Sequence, residues 1–322
     1  MKRLALHAMR AFGIFSLSRH LSASMPRILM YHNFSGPGTK EAGTLNVEAA
    51  RAQLEYLHRY FRVVPLLDIA ERLSSGKKFD SNTVALTIDD GRFNCYEFLF
   101  PLLKEFQIPA TFFVVSSFIC KEDWIWTDKV LWLSTQPNAP AELSSTKIDA
   151  FFRTLNRMRP EVRNARIGEM AAKLNISVPR EAPTQYAPCS WAQLREMADS
   201  GLVEIGSHTV THPILSSIAD EESWHELTES RRQLKEGLGR QIRSFCFPNG
   251  MPGDYRESQV KQIRDAGYAC SVIAQFGLIN GQTNPYLMPR IGMGSKSERI
   301  EFAKFLDGVA HYQRTLKGLV RH

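Results

Sequence analysis

The 322-residue sequence lacks any run approaching the roughly eighteen apolar residues that a membrane-spanning helix needs, which excludes an integral helical membrane protein. It has no Cys-x-x-Cys spacing. Its five cysteines, Cys95, Cys120, Cys189, Cys246 and Cys270, are odd in number, which argues against a disulfide framework and for a reducing compartment. No internal repeat or low-complexity tract is present. Acidic residues are in deficit, 33 against 40 lysines and arginines, for a net charge of +7. The basic residues are dispersed, however, and no recognition motif accompanies them, so they read as a solvated surface and not as a nucleic-acid interface.

What is present is the composition of an ordinary folded protein, 43% hydrophobic and 23% charged. The length is sufficient for one large domain, placed at 26–322. The preceding residues 1–25 superficially resemble a secretory signal, with Lys2, Arg3 and Arg10 before an apolar stretch. Arg10, Arg19 and His20 leave only about seven uninterrupted residues, at the lower edge of a usable apolar core. An uncleaved amphipathic extension is therefore expected, its Leu4, Phe12, Ile14, Phe15 and Leu17 docking on the domain, with a membrane surface as the alternative. Together with the cysteine pattern, this points to a cytoplasmic protein, membrane-peripheral at most.

From about Ile28 onward, β-branched runs alternate with helical patterns, the signature of βα units around a parallel sheet. Strands are expected at 27–31, 61–64, 83–88, 111–115, 203–206, 244–247 and 269–273, a barrel that need not be complete. Helical spacing marks 47–60, 66–73, 96–106, 191–199, 221–238 and 257–266. Gly201 and Gly267 follow two of these as left-handed caps. The interval 119–190 breaks the rhythm and reads as an insertion with helices at 147–158 and 160–174, placed to wall a site beyond the strand ends. A final amphipathic helix is expected at 298–320.

Thr87-Ile88-Asp89-Asp90-Gly91 sets two adjacent carboxylates at the carboxyl end of an apolar strand, ahead of a glycine that permits a sharp turn. Like charges there disfavour joint ionisation unless a cation is near, so a metal with one ligand acid and one free base is an economical explanation. A solvated Asp-Asp-Gly turn is the plain alternative. His208-Thr209-Val210-Thr211-His212 directly follows another strand. Its spacing would align both rings on a helix, but Pro213 disfavours helical geometry at His212, so a tight loop is expected. A lone histidine is more often structural than a ligand; this pair, in a chain that also carries the acid pair, points to metal. Two histidines and one carboxylate leave coordination positions open. A metal so held polarises an amide carbonyl while a nearby carboxylate takes the proton of the attacking water. His32, in Leu29-Met30-Tyr31-His32, stands where it can protonate a departing amine, a packed or surface role being the alternative.

These residues together resemble the polysaccharide deacetylase family, also called the NodB-homology or carbohydrate esterase family 4 enzymes. The segment 87–91 looks like that family's first motif and 208–212 like its second. The resemblance runs from about Ile28 to Gly292, apart from much of the insertion. It implies a distorted (β/α) barrel and a divalent metal, most naturally Zn²⁺, with Asp89 as general base and Asp90, His208 and His212 as ligands. The family's third motif commonly carries an arginine before Pro-Pro-Tyr-Gly; here Phe245-Cys246-Phe247-Pro248-Asn249-Gly250 lacks it. That variant resembles a subgroup whose catalytic histidine lies in an N-terminal Tyr-His motif, which His32 fits. Arg290, in Pro289-Arg290-Ile291, could then replace it as partner of Asp89, with a packing or ion-pair role equally open. Trp126-Thr127-Asp128 resembles a tryptophan-acid element of exopolysaccharide relatives. Trp126, Asp128, Pro248 and Asn249 are accordingly candidates for substrate binding or base orientation, with packing and ion-pair roles equally open.

The implied activity is metal-dependent removal of an N-acyl group, N-acetyl foremost, from an amino sugar of a cell-surface polysaccharide or its lipid-linked precursor, a step of cell-envelope biosynthesis. A non-catalytic carbohydrate-binding protein on the same fold is the alternative, against which the intact Asp89 argues. A non-haem iron oxygenase would also suit two histidines and a carboxylate, but not the second acid.

Overall fold

The computed structural model describes residues 2–39, 43–294 and 298–319. Its strands are β1 (Arg27–Tyr31), β2 (Phe34–Ser35), β3 (Leu45–Asn46), β4 (Arg62–Val63), β5 (Thr83–Ile88), β6 (Ala110–Val114), β7 (Val203–Ser207), β8 (Ser244–Cys246), β9 (Cys270–Val272) and β10 (Ile291–Gly292). All but β2 and β3 form one parallel sheet in the order β10-β1-β5-β6-β7-β8-β9, with β4 also beside β5, curled into a half-barrel. This is the α/β architecture expected. β5 is buried at all six positions because both of its faces are covered, hence an apolar run rather than an alternation. Ile28, Ala85, Phe113 and Cys246 pack on one side of the sheet, and Leu29, Leu86, Phe112 and Phe245 join the core beneath the helices on the other.

The differences from expectation are local. β10 and the β2/β3 pair, two residues each, lie outside the expected strands, whereas β4 falls within the expected 61–64. The insertion holds an additional helix, Trp126–Ser134, packed with Ile148–Leu155 and Pro160–Lys173 on a small core of Val130, Leu133, Leu155, Ile167 and Met170. The N-terminal extension is two helices, Lys2–Ala11 and Ile14–Leu21, hinged at Gly13 with φ 75°. The turn resets the helical phase, so of the five apolar residues expected to dock only Phe15 is buried, with Leu6 beside it. Leu4, Phe12, Ile14 and Leu17 are exposed, Phe12 at 84%. Gly308, at φ 80°, likewise divides the last helix into Arg299–Leu306 and Val309–Leu319, burying Phe302, Leu306 and Val309 while Leu316 stays exposed. Met1, Val320 and His322 lie outside the described residues. Among the described residues, no helix is long and apolar enough to cross a membrane.

Candidate active site

The carboxyl ends of the strands converge on a cavity of about 530 Å³, lined among others by His32, Asp89, Asp90, Trp126, His212 and Arg290. β5 delivers the acid pair. Asp90 and Gly91 both turn left-handed, at φ 81° and 85°, and a Cβ on residue 91 would stand 2.9 Å from Val114 Cγ1, so the turn needs glycine there. The positive φ of Asp90, uncommon for a non-glycine residue, is local strain held by the surrounding packing. It sends the two adjacent carboxylates to different partners.

Asp89 is gripped by Arg290 through two parallel hydrogen bonds, Nη1 to Oδ1 at 2.7 Å and Nη2 to Oδ2 at 2.8 Å. Arg290 is itself 1% exposed and fixed by Thr87 Oγ1 and the Ile273 carbonyl. Burial, the largest influence on Asp89, pushes its carboxyl up; Arg290, His32 and His208 together outweigh that and hold it below the ordinary carboxylate range. His32 Nε2 lies 3.7 Å from Asp89 Oδ2, its side chain 44% exposed to the cavity.

β7 delivers the histidines on a loop, as Pro213 predicts. Thr209 and His212 take positive φ of 70° and 58°. The buried Glu226 carboxylate accepts from the Val210 and Thr211 amides at 2.7 and 2.9 Å and from Thr211 Oγ1 at 2.6 Å, bracing the bend between the rings. His208 Nδ1 lies 2.7 Å from the Cys246 carbonyl oxygen, so this nitrogen carries the proton and Nε2 presents its lone pair. Nε2 of His208 and Nε2 of His212 each stand 3.8 Å from Asp90 Oδ1. Burial lowers both imidazoles, His212 to about 3, so both are neutral near pH 7.

This donor set fits a divalent cation. Three buried lone-pair atoms face one another at separations too long for hydrogen bonds. With metal–ligand bonds of about 2.0–2.1 Å, tetrahedral neighbours lie roughly 3.4 Å apart, and small movements bring 3.8 Å to that value. Asp89, His208 and Cys246 form a second compact trio. It is a poor ligand set, because Arg290 already occupies both Asp89 oxygens and burial keeps the Cys246 thiol protonated.

Arg92 was not singled out in the sequence. It is 4% exposed, donates to Asp90 Oδ2 from Nη2 at 2.9 Å and Nε at 3.1 Å, and with Nη1 holds the Asp128 carboxylate. Its guanidinium leaves only Oδ1 of Asp90 facing the histidines. The signal available was an arginine two places after the ligand acid, but an acid–arginine spacing of two is common. Asp128 is fully buried, ion-paired with Arg92 and absent from the cavity lining, because the Trp126–Ser134 helix turns it inward. Burial pushes its carboxyl up to about 6 even beside Arg92. Trp126 lines the cavity and donates from Nε1 to the His212 carbonyl at 3.1 Å. Pro248 is buried and packed outside the cavity lining, whereas Asn249 sits exposed on the rim with Nδ2 bonded to Asp254.

A family model described as polysaccharide deacetylase matches residues 76–271, well over half of the chain. The match includes Asp89, Asp90, His208 and His212; His32 and Arg290 fall outside it. The Bacillus subtilis protein YxkH is 19% identical over 288 residues, 89% of this chain and 77% of that one. The poly-beta-1,6-N-acetyl-D-glucosamine N-deacetylase of Escherichia coli K12 is 27% identical over 131 residues, 40% of this chain and 17% of that one. The solved structure of the Streptococcus pyogenes deacetylase PplD in complex with acetate superposes with a TM-score of 0.62 at 16% identity, covering 88% of this chain and 99% of that one.

Proposed function

The chain belongs to the polysaccharide deacetylase family, and from that premise we propose that it hydrolyses the N-acetyl group of an amino sugar, in a cell-surface polysaccharide or its lipid-linked precursor. The observation that carries this reading is the convergence of Asp90 Oδ1 and the two histidine Nε2 atoms beside a carboxylate held in place by Arg290. Asp90, His208 and His212 would hold the metal, for which Zn²⁺ suits the mixed nitrogen and oxygen donors. When bound, such a cation supplies Lewis-acid polarisation of the amide carbonyl and acidifies water.

The remaining work falls to side chains. Asp89 takes the proton of the attacking water. The fork of Arg290 keeps it ionised and fixes which lone pair faces the cavity. His32, half-exposed and next to Asp89, gives a proton to the departing amine, so that one group accepts while its neighbour donates. Trp126 forms an apolar wall against which a sugar ring can lie.

The lipid-linked form of the substrate is favoured by the N-terminal helices. Leu4, Phe12, Leu17 and Leu21 are exposed there, and no acidic residue precedes Glu41. Arg3 pairs at 2.7 Å with Glu298 at the start of the Arg299–Leu306 helix, which ties the first helix to the domain. All five cysteines are free, in keeping with work on the cytoplasmic face of the membrane.

The test is release of acetate and free amine from poly-β-1,6-N-acetylglucosamine oligomers and from lipid-linked N-acetylamino sugars, with zinc and with a chelator. Zinc-dependent release, faster on the lipid-linked substrates, is expected. Silence across the panel by metal-loaded protein would contradict the reading.

A further inference from the structure

A second cavity, of about 280 Å³, lies on the far side of Trp126 from the Asp and His cluster. Its lining includes Ser117, Trp126, Pro160, Arg163, Asn164 and Thr211. Arg163 is 2% exposed, and neither Nε nor Nη1 has a hydrogen-bond partner. Its guanidinium stacks on the Trp126 ring at 4.4 Å, which satisfies the flat face of the cation and leaves its N–H edge unmet. The acids that act on it do so from a distance. Glu226 is committed to the 210–211 loop, and Glu161 is exposed beside Arg159. Of the acids on the cavity's opposite side, Asp123 is neutralised by Lys129 at 2.6 Å and Glu122 is solvated.

A second, independent feature points the same way. The fourteen-residue helix Pro160–Lys173 begins at this cavity. Its first turn carries the Glu161 and Val162 amides, which no carbonyl within the helix can satisfy, and Pro160, Arg163 and Asn164 of the same helix start line the cavity. An uncompensated buried guanidinium is costly, whereas one that meets a counter-ion at a helix N-terminus forms an anion site. We propose that this cavity binds an oxyanion, with Arg163 as its counter-ion and the 160–173 helix start as its second wall. A carboxylate or phosphate group borne on a sugar ligand and a free inorganic anion share the chemistry the site would recognise. Because Trp126 and Thr211 belong to the lining, an occupant would brace the insertion against the loop that carries His208 and His212. The site stands on its own geometry and does not depend on the deacetylase reading.

The test is isothermal titration of the full chain with sulfate and, separately, with N-acetylglucosamine 1-phosphate. Arg163→Met removes the guanidinium and leaves an unbranched apolar side chain to fill its place beside Trp126. Asn164→Asp alters an exposed residue and places a negative charge at the mouth without disturbing the core. Saturable binding by wild type, weakened at least tenfold in Arg163→Met and severalfold in Asn164→Asp, is the expected result. Tight binding confined to the sugar phosphate would assign the site to a ligand-borne group, and binding confined to sulfate to a free anion. No binding by wild type, or binding equal in both variants and so located elsewhere, would overturn the proposal.

Discussion

At the scale of the residue, the site depends on two arginines that share out two adjacent acids. Arg290 takes both oxygens of Asp89, and Arg92 takes one oxygen of Asp90 and leaves the other for the histidines. The acid pair, the histidine pair and the need for an arginine opposite Asp89 were all legible in the sequence, because each sits in a short run beside a strand end. Arg92, Glu226 and the true place of Asp128 were not. Their partners are set by how the insertion packs on the barrel, and no local spacing records that. Arg92→Met removes a buried cation from between two carboxylates, leaving Asp128 without its counter-charge. The expected cost is roughly 3–5 kcal/mol of stability, together with about a 10–100-fold loss of metal affinity. Denaturant unfolding and metal titration measure the two effects. A variant as stable as wild type would mean that the Asp90–Arg92–Asp128 chain does not hold the site together.

Elements of five or six residues with both faces buried, such as β1, β5 and β6, were legible within a residue or so. The two-residue strands β2, β3 and β10, and breaks made by Gly13 and Gly308 within otherwise continuous helical patterns, were not; β4, equally short, was found only as part of the longer run 61–64. β7 also carries a half-buried acid, Glu204, bonded to Ser244 Oγ at 3.0 Å and Thr111 Oγ1 at 3.2 Å. Burial pushes its carboxyl up to about 7, against hydrogen bonds from Ser244 and Thr111 that lower it. An acid whose folded pKa is raised binds a proton on folding. Its contribution is therefore most favourable below the unfolded value of 4.5 and declines as pH rises to about 7. Glu204→Gln should be more stable than wild type above pH 7 by on the order of 1–3 kcal/mol, with the gain fading toward pH 4.5. Urea melts across that range decide it, and a pH-independent difference would contradict the assigned cause.

For the whole molecule, the parallel half-barrel and its functional end follow from the order of βα units, while the exposed face of the N-terminal helices became visible only once Gly13 had set their phase. With its positive net charge and exposed Leu4, Phe12 and Leu17, that face should hold the protein on anionic vesicles. Phe12→Asp with Leu17→Asp should abolish co-sedimentation while leaving turnover of a short water-soluble substrate unchanged. Equal sedimentation of the variant would move the contact elsewhere. The central claim is that Asp90, His208 and His212 hold a metal against which Asp89 serves as base. It is tested most directly by assaying Asp89→Asn and His212→Ala beside wild type for amine release and bound zinc in the same preparations. A loss of at least about a thousandfold in turnover with zinc retained is expected in Asp89→Asn, and loss of both in His212→Ala; near-normal turnover in Asp89→Asn, or full zinc occupancy in His212→Ala, would overturn these roles.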